Sequence, residues 1–274
     1  MTARVYVDGV AGDRVSALDR GLLYGDGLFE TVLFVAGAAP LWPRHLARLQ
    51  AGAQRLDLPL PPLPVIHDTA VRAAAGLARA AVRISLTRGV GERGYAPPAQ
   101  AAPCWTVSAA AAPAVPADWY ARGIRVRCCR LRLAAQPALA GIKHLNRLEN
   151  VLARAEWTDA AVAEGLLGDR DGHVIGATAA NLFAVRDGRL HTPAVDECGV
   201  AGVARAEVLA RCETVIGRLT WEEVMRADEI FLTSSLRGIL PVAAIDEKAF
   251  APGPVARDLQ AQWRAAGLME TTHG

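Results

Sequence analysis

The chain has 274 residues, of which 52% are hydrophobic and 21% are charged, and its formal net charge is +2. This length predicts one large domain or two medium ones, and the interspersed charges argue against a nucleic-acid partner. No apolar run approaches the roughly 20 residues of a membrane span, and the start MTARVYVDGV lacks the apolar block of a secretion signal. The five cysteines show no metal or disulfide spacing, so we expect a reduced, cytoplasmic protein.

The N-terminal part of the chain predicts strands and helices separated by glycine-rich or proline-rich loops. The helix after Pro43 is indicated by apolar residues at helical spacing, from Leu46 to Leu56. The predicted elements, in chain order, are a strand at 4–7 with a turn at Asp8-Gly9, a loop DRGLLYGDG at 19–27, a strand FETVLFV, the helix after Pro43, a second helix near 67–80, and the strands AVRISLTRG and CWTVSA.

The segment AAAAPAVPAD at 109–118 carries stiffening prolines and no amphipathic pattern, so it predicts a linker, which we place at 111–118. It separates a smaller N-terminal α/β domain, 1–110, from a larger C-terminal domain, 119–274, that contains Lys143. The elements predicted after it are a strand at 124–130, a helix at 146–163, strands around Leu166, Val174 and Phe183 with Asp-Gly turns at 171–172 and 187–188, a helix at 202–212, a strand at 229–235 and a helix at 254–266. Strands and helices mix without a regular βαβ repeat, which favours an α+β fold.

Lys143 is a candidate nucleophile because the chain has only two lysines against many arginines. Lysine can lose its proton and act as a nucleophile, whereas arginine effectively cannot. Lys248 lies in the polar stretch DEK and is expected to be a solvated surface charge. Lys143 lies in AGIKHLNRLENVL, among small and apolar residues, where burial would lower its pKa. On this pattern alone, a surface lysine near a helix start remains the simpler interpretation.

The segment GIKHLNRLENV resembles the active-site segment of aminodeoxychorismate lyases, which belong to the class IV aminotransferase family of pyridoxal-phosphate enzymes. The resemblance runs nearly from end to end of the chain. The other similar segments are DRGLLYGDGLFET at 19–31, HLARL at 45–49, RGVGERGY at 88–95, ATAANLF at 177–183, GVAGVAR at 199–205 and TSSLRGILPV at 233–242. It implies a two-domain α+β fold of fold-type IV, related to branched-chain and D-amino-acid transaminases, and a homodimer. It also implies that Lys143 forms a Schiff base with pyridoxal 5'-phosphate and that the reaction converts 4-amino-4-deoxychorismate to 4-aminobenzoate and pyruvate, a step toward folate.

The same resemblance implies which residues bind the cofactor phosphate. They are Arg48 on the first helix, the backbone N–H groups of Val203 and Ala204 at a helix start, and the hydroxyl of Ser235. Each has an ordinary alternative interpretation, namely a helix-surface arginine, a plain helix start and a turn serine.

Candidate substrate-binding residues lie in the loop RGVGERGY, because the implied substrate has two carboxylates. Arg88 and Arg93 are candidates for pairing with them, with Tyr95 beside them, although arginines in a mobile loop are usually solvated. Phe29 falls in the segment that lines the cofactor face in relatives and is equally compatible with the core. We interpret His144, which follows the lysine, as structural.

The chain departs from the family pattern at Gly176. Relatives carry a glutamate five residues before the asparagine of ANLF, where it pairs with the pyridine nitrogen of the cofactor, and counting back from Asn181 gives Gly176. That carboxylate makes the cofactor ring an electron sink, so its loss favours a lyase over a transaminase. A water or the Thr178 hydroxyl is a possible replacement, although neither supplies a negative charge. The alternatives are a D-amino-acid or branched-chain aminotransferase, or a degenerate family member without catalysis.

Overall fold

The structure, a computed structural model, describes residues 4–269 and divides into two compact units. The first unit extends to Pro113 and includes the segment Ile142–Asn146, and the second contains Ala114–Gly141 and the chain from Arg147 onward. The first unit therefore ends inside the predicted linker, 111–118. The segment with Lys143, which the sequence placed in the C-terminal domain, packs within the first unit. Its backbone explains this, because the N–H of Phe29 donates to Lys143 O at 2.9 Å and the N–H of Leu145 donates to Gly27 O at 2.9 Å.

The described part of the first unit is built on a five-stranded antiparallel sheet with three helices. Its elements are β1 (Arg4–Val7), β2 (Val10–Ala11), α1 (Arg20–Tyr24), β3 (Gly27–Val35), α2 (Trp42–Arg55), α3 (Leu63–Ala74), β4 (Arg79–Thr87) and β5 (Cys104–Ala111). The strand order is β2-β1-β5-β4-β3. Val82, Ile84 and Leu86 alternate along β4 and are buried, which gives the sheet one apolar face.

The second unit is built, in its described residues, on a ten-stranded mixed sheet. Its elements are α4 (Ala117–Arg122), β6 (Ile124–Leu133), α5 (Leu148–Arg154), β7 (Val162–Asp169), β8 (His173–Ala177), β9 (Asn181–Arg186), β10 (Arg189–Pro193), α6 (Val203–Arg211), β11 (Thr214–Gly217), β12 (Leu219–Thr220), α7 (Trp221–Met225), β13 (Glu229–Ser234), β14 (Gly238–Ile245), β15 (Lys248–Ala249) and α8 (Pro254–Ala265). The order is β11-β10-β9-β13-β14-β6-β7-β8-β12, with β15 paired to β14. Phe183 of β9 stacks on Phe231 of β13 with ring centroids 5.1 Å apart, and Trp263 of α8 belongs to the same core.

Most predicted elements are confirmed, and the predicted α+β character with them. Three differ. The glycine-rich loop at 19–27 contains the short helix α1, because the Asp19 carboxylate caps the N–H of Gly21 and Gly25 ends the helix in the left-handed region. The second helix, α3, covers Leu63–Ala74 rather than 67–80. It starts inside the proline-rich run because a proline is tolerated in the first helical turn.

The third difference is α5, which stops at Arg154 although the sequence predicted a helix to 163. Trp157 is buried and its indole N–H donates to Val162 O at 3.0 Å. The Asp159 carboxylate accepts the N–H of Ala161 at 2.8 Å, which closes a local turn. These contacts send the chain directly into β7.

The five cysteines are all among the described residues and are all free thiols. Burial raises the pKa of Cys129 to about 11 and that of Cys128 to about 12. Within residues 4–269, no three His, Cys, Asp or Glu side chains form a metal-binding group. None of the described helices combines the length and apolar character needed to cross a membrane.

Candidate active site

Lys143 lies against an aromatic ring in the first unit. Its segment runs beside β3, where His144 forms an antiparallel bridge with Leu28. The Lys143 Nζ atom is 4.2 Å from the centroid of the Phe29 ring, and the Arg83 guanidinium carbon is 4.0 Å from the same centroid. Phe29 itself is only 8% exposed. Two cationic groups therefore contact the same aromatic ring.

A buried ion pair links β3 to α2 in the same unit. Arg48 donates from Nε to Glu30 Oε1 at 2.7 Å and from Nη2 to Glu30 Oε2 at 2.5 Å. His45 lies on the same face of α2, one turn earlier, and its Nδ1 is 2.6 Å from Glu30 Oε2. The Arg48 guanidinium thus binds a carboxylate with two of its nitrogen atoms. The sequence had assigned this group to a phosphate.

The cluster sets the pKa values of its members. Burial raises the pKa of the Glu30 carboxyl, but the charge of Arg48 and hydrogen bonds from His45 and Arg48 outweigh it and hold the pKa at about 2. Burial lowers the pKa of His45 despite its contact with Glu30, and the positive charges of Arg48 and Lys143 act in the same direction. Glu30 is therefore a carboxylate and His45 a neutral imidazole at neutral pH.

Arg88 and Arg93, predicted together as substrate ligands, have different environments. Arg88 is 8% exposed, and its Nε and Nη2 donate to the two oxygens of Asp26 at 2.8 and 3.1 Å. Its Nη1 and Nη2 also donate to the carbonyls of Asp57 and Leu56 at 2.7 and 2.8 Å. Arg93 is exposed. This favours a structural role for Arg88 and leaves Arg93 as the accessible arginine of the loop.

The tip of the same loop is held by a second buried arginine. Arg20 donates to the carbonyls of Gly94, Tyr95 and Ala96 at 2.9–3.1 Å and pairs with Asp26 at 2.9 Å. The Tyr95 side chain is 86% exposed, with its ring centroid 5.4 Å from that of Tyr24. The loop therefore has a fixed backbone and presents Tyr95 to solvent.

The predicted phosphate residues Val203 and Ala204 lie at the start of α6 in the second unit. Gly202 precedes them as the N-cap and carries no side chain that could accept their N–H groups. A Cβ atom at Gly202 would lie 2.0 Å from Asn181 Oδ1, so a larger residue would require the Asn181 side chain to move. Asn181 pairs in register with Thr233, whose buried hydroxyl lacks a hydrogen-bond partner among the described residues. Ser235 follows two residues later, partly buried.

Gly176 lies in β8, which pairs with β7. The two strands pair with Leu167 opposite Gly176. Glu164 of β7 is 3% exposed, and its Oε1 accepts a short hydrogen bond from the Thr178 hydroxyl. Its Oε2 pairs with Arg237 Nη2 at 2.5 Å.

Sequence reasoning missed Arg83, Glu30, Glu164 and Arg237. A signal existed for the three residues on strands, since each is a charged side chain in an otherwise apolar strand, GLFETVLFV, AVRISLT or AVAEGLLG. Buried charges are paired, and this holds for Glu30 and Glu164, whereas Arg83 is exposed on β4. Arg237 lies in the β13–β14 turn, and the sequence contains no sign that it reaches Glu164.

Comparisons with known proteins indicate the same family as the sequence motifs. A family model described as amino-transferase class IV matches residues 27–245. The chain is 35% identical to an aminodeoxychorismate lyase of Vibrio harveyi over 93% of its length and 97% of the relative's. It is 34% identical to a putative branched-chain-amino-acid aminotransferase of Methanocaldococcus jannaschii, over 89% and 88% of the two chains. Among solved structures, a 4-amino-4-deoxychorismate lyase from Pseudomonas aeruginosa is 46% identical with a TM-score of 0.91, covering 95% of this chain and 98% of that one.

Proposed function

The chain belongs to the amino-transferase class IV family, and we propose that it is a pyridoxal-phosphate-dependent lyase that converts 4-amino-4-deoxychorismate to 4-aminobenzoate and pyruvate. The fold-type IV architecture is confirmed by the overlap with the solved lyase. The observation that carries the proposed reaction is the 46% identity to that lyase over 95% of the chain.

The second unit has groups that fit the cofactor phosphate. The start of α6 presents backbone N–H groups without a capping side chain, and helix starts attract anions. The buried Thr233 hydroxyl, without a partner among residues 4–269, is the kind of donor that an anion would satisfy. We assign Val203, Ala204 and Ser235 to the phosphate, whereas Arg48, whose Nε and Nη2 atoms bind Glu30, is a positioning residue for α2 in this proposal.

Lys143 is assigned as the covalent attachment point of the cofactor and as the base. When bound, the cofactor withdraws electrons from the carbon that carries the substrate nitrogen. The Lys143 amine takes the proton from that carbon and returns one to the departing enolpyruvyl group. Contact with the Phe29 ring positions the Nζ atom of Lys143. Loss of the enolpyruvyl group makes the remaining ring aromatic, which provides the driving force.

The carboxylates of the substrate need cationic partners. Arg83 is the best-placed candidate, because it is exposed on β4 and its guanidinium contacts the same Phe29 ring as Lys143. Arg93 is the second candidate, on the neighbouring loop, with Tyr95 beside it. Arg88 is a positioning residue in this proposal, since its guanidinium already binds one carboxylate and two carbonyls.

The proposal is tested with purified protein, pyridoxal 5'-phosphate and 4-amino-4-deoxychorismate. We expect 4-aminobenzoate and pyruvate in equal amounts, and a visible absorption band from the bound cofactor. Lys143→Ala should abolish both the band and the products, whereas Lys248→Ala, at an exposed lysine in β15, should leave them unchanged. A borohydride-trapped adduct that persists in Lys143→Ala would exclude Lys143 as the attachment point.

The competing function, suggested by the 34% identity to the putative branched-chain aminotransferase, has a distinct outcome. Efficient conversion of the bound cofactor to its pyridoxamine form by D-alanine or a branched-chain amino acid, without 4-aminobenzoate, would replace the lyase assignment. Binding without any turnover would identify a degenerate family member.

A homodimer is part of the proposal. Leu148, Val151 and Leu152 lie on one face of α5 and are 69%, 60% and 54% exposed. Three large apolar side chains on one short helix are typical of a protein interface. Analytical ultracentrifugation should give about twice the mass of the chain.

A further inference from the structure

Thr178 lies close in the chain to Gly176, the position where the family carboxylate is missing. Thr178 lies one residue past the end of β8 and two residues after Gly176, at the start of the bend that leads to β9. The Thr178 N–H donates to Gly165 O at 2.9 Å, which continues the β7–β8 pairing past the end of β8. Asn150 of α5 also donates to Thr178 O at 2.9 Å. The Thr178 backbone is therefore held from both sides.

The Thr178 side chain is hydrogen-bonded to a buried carboxylate. Its hydroxyl donates to Glu164 Oε1, which also accepts the N–H of Gly165 at 3.1 Å. Arg237 holds the other oxygen at 2.5 Å, so both oxygens of Glu164 have partners. A hydroxyl that has given its single hydrogen to a carboxylate keeps its lone pairs and can act only as an acceptor toward a further group. Thr178 is partly exposed, whereas Glu164 is 3% exposed.

The other buried carboxylates described in the second unit bind groups outside the 176–181 segment. Asp169 binds His173 and the N–H of Asp171, and Glu207 pairs with Arg211. Glu229 accepts the N–H groups of Val255 and Ala256 at the start of α8. Within residues 4–269 of this unit, Glu164 is the buried carboxylate that contacts the 176–181 segment.

We propose that the Thr178 hydroxyl, oriented and polarised by Glu164, accepts the hydrogen bond of the cofactor's pyridine nitrogen in place of the carboxylate missing at Gly176. This inference rests on the proposed function, which brings the cofactor to this strand. Glu164 is a positioning residue, and its negative charge acts through the hydroxyl, because hydrogen bonds in a chain polarise one another. Arg237 offsets part of that charge. The protonated ring nitrogen is therefore stabilised less than by a direct carboxylate, which suits an elimination more than a transamination.

The test compares the affinity of the apoprotein for pyridoxal 5'-phosphate with its affinity for the 1-deaza analogue, whose ring has a carbon in place of the nitrogen. Both compounds carry the same aldehyde and phosphate, so the ratio of their dissociation constants isolates the nitrogen contact. The parent protein should prefer the natural cofactor about tenfold, the effect of one charge-assisted hydrogen bond. Thr178→Val, which keeps the shape and removes the hydroxyl, should lose the preference, and Thr178→Ser should restore it.

A spectroscopic measurement separates positioning from folding. With cofactor labelled with ¹⁵N in the ring, Thr178→Val and Glu164→Gln should both move the nitrogen resonance toward the unprotonated position, and Thr178→Ser should not. A parent that binds both compounds equally, or a Thr178→Val variant with unchanged preference and resonance, would overturn the inference while the proposed function stands. A parent that binds neither compound would overturn the proposed function itself.

Discussion

Two buried glutamates, one in each unit, each pair with an arginine and differ in their second side-chain partner. Glu30 is 1% exposed and Glu164 is 3% exposed, and each accepts from an arginine Nη2 atom at 2.5 Å. Arg48 adds a second hydrogen bond to Glu30, and His45 adds a third. The side-chain partners of Glu164 are Arg237 and the Thr178 hydroxyl.

The difference shows that a buried glutamate–arginine pair can have two different roles. The partners of Glu30 both come from α2, so the pair fastens that helix to β3. The partners of Glu164 come from the segment after β8 and from the β13–β14 turn, and one of them is a hydroxyl with lone pairs still available. The first carboxylate stabilises packing, and the second transmits its polarity to a neighbouring group.

The largest expected effect comes from breaking the Glu30 pair. Arg48→Gln should lower the free energy of unfolding by about 3–5 kcal/mol, because it leaves a buried carboxylate without its cation. If Arg48 instead binds the cofactor phosphate, as the resemblance implies, the variant would weaken cofactor binding much more than folding. Urea denaturation of the apoprotein measures the first effect, and cofactor titration of the folded variant measures the second.

Arg226→Gln is the matched control, since its ion pair with Glu222 is 77% and 70% exposed. It should change the free energy of unfolding by less than about 1 kcal/mol. If Arg48→Gln were as stable as this control, Glu30 would not depend on Arg48 and the comparison of the two glutamates would fail.

Acidification should lower the free energy of unfolding by a somewhat smaller amount, through protonation of Glu30. The pKa of Glu30 is held at about 2 in the folded protein against an ordinary value of 4.5, so the unfolded chain binds more protons and stability rises with pH. The contribution is complete above about pH 4.5 and is lost as the pH falls toward 2, with a total on the order of 3 kcal/mol. Burial also lowers the pKa of His45, so protonation of His45 below its ordinary value of 6.5 acts in the same direction.

Denaturation curves between pH 7 and pH 3 measure this dependence. Glu30→Gln should be less stable than the parent at pH 7 and lose less stability on acidification, whereas the exposed Glu222→Gln should follow the parent curve. Parallel curves for Glu30→Gln and the parent would show that another group controls acid unfolding.

The sequence predicted most of the fold, because apolar periodicity and turn residues are local signals. The helix with Leu49 and Ala53 and the Asp187-Gly188 turn follow from neighbours in the chain. Local patterns failed where a distant contact decides the outcome. The helix after Lys143 ends at Arg154 because Trp157 packs into the core and Glu156 accepts the N–H groups of Arg130 and Leu131 on β6.

The candidate site likewise contains residues that local motifs predict and residues that depend on distant contacts. The family motifs identified Lys143, and the structure places its Nζ atom against Phe29. The motifs could not separate Arg88 from Arg93, because burial of Arg88 depends on Asp26 and on two carbonyls from a distant helix end. Thr178 was considered from the sequence as a neutral replacement for the missing glutamate. Its link to Glu164 became visible only in the structure, since it depends on the strand pairing.

The smallest expected effect tests the Glu164 side of the comparison, through Gly176→Glu. A Cβ atom at position 176 would lie 3.1 Å from Ala180 O, so the substitution needs a shift of a few tenths of an ångström. It would place a direct carboxylate where the parent has only a polarised hydroxyl, and the cofactor ring would become a stronger electron sink. Transamination needs that sink until a proton reaches the cofactor, whereas the lyase reaction removes the electrons by expelling the enolpyruvyl group. Gly176→Glu should therefore raise any slow transamination of D-alanine by about tenfold, the effect of one charge-assisted hydrogen bond, and raise release of 4-aminobenzoate by less. Gly176→Gln, of similar size and without charge, controls for the steric change and should raise neither activity. An equal gain in both reactions would mean that the ring nitrogen does not decide between them.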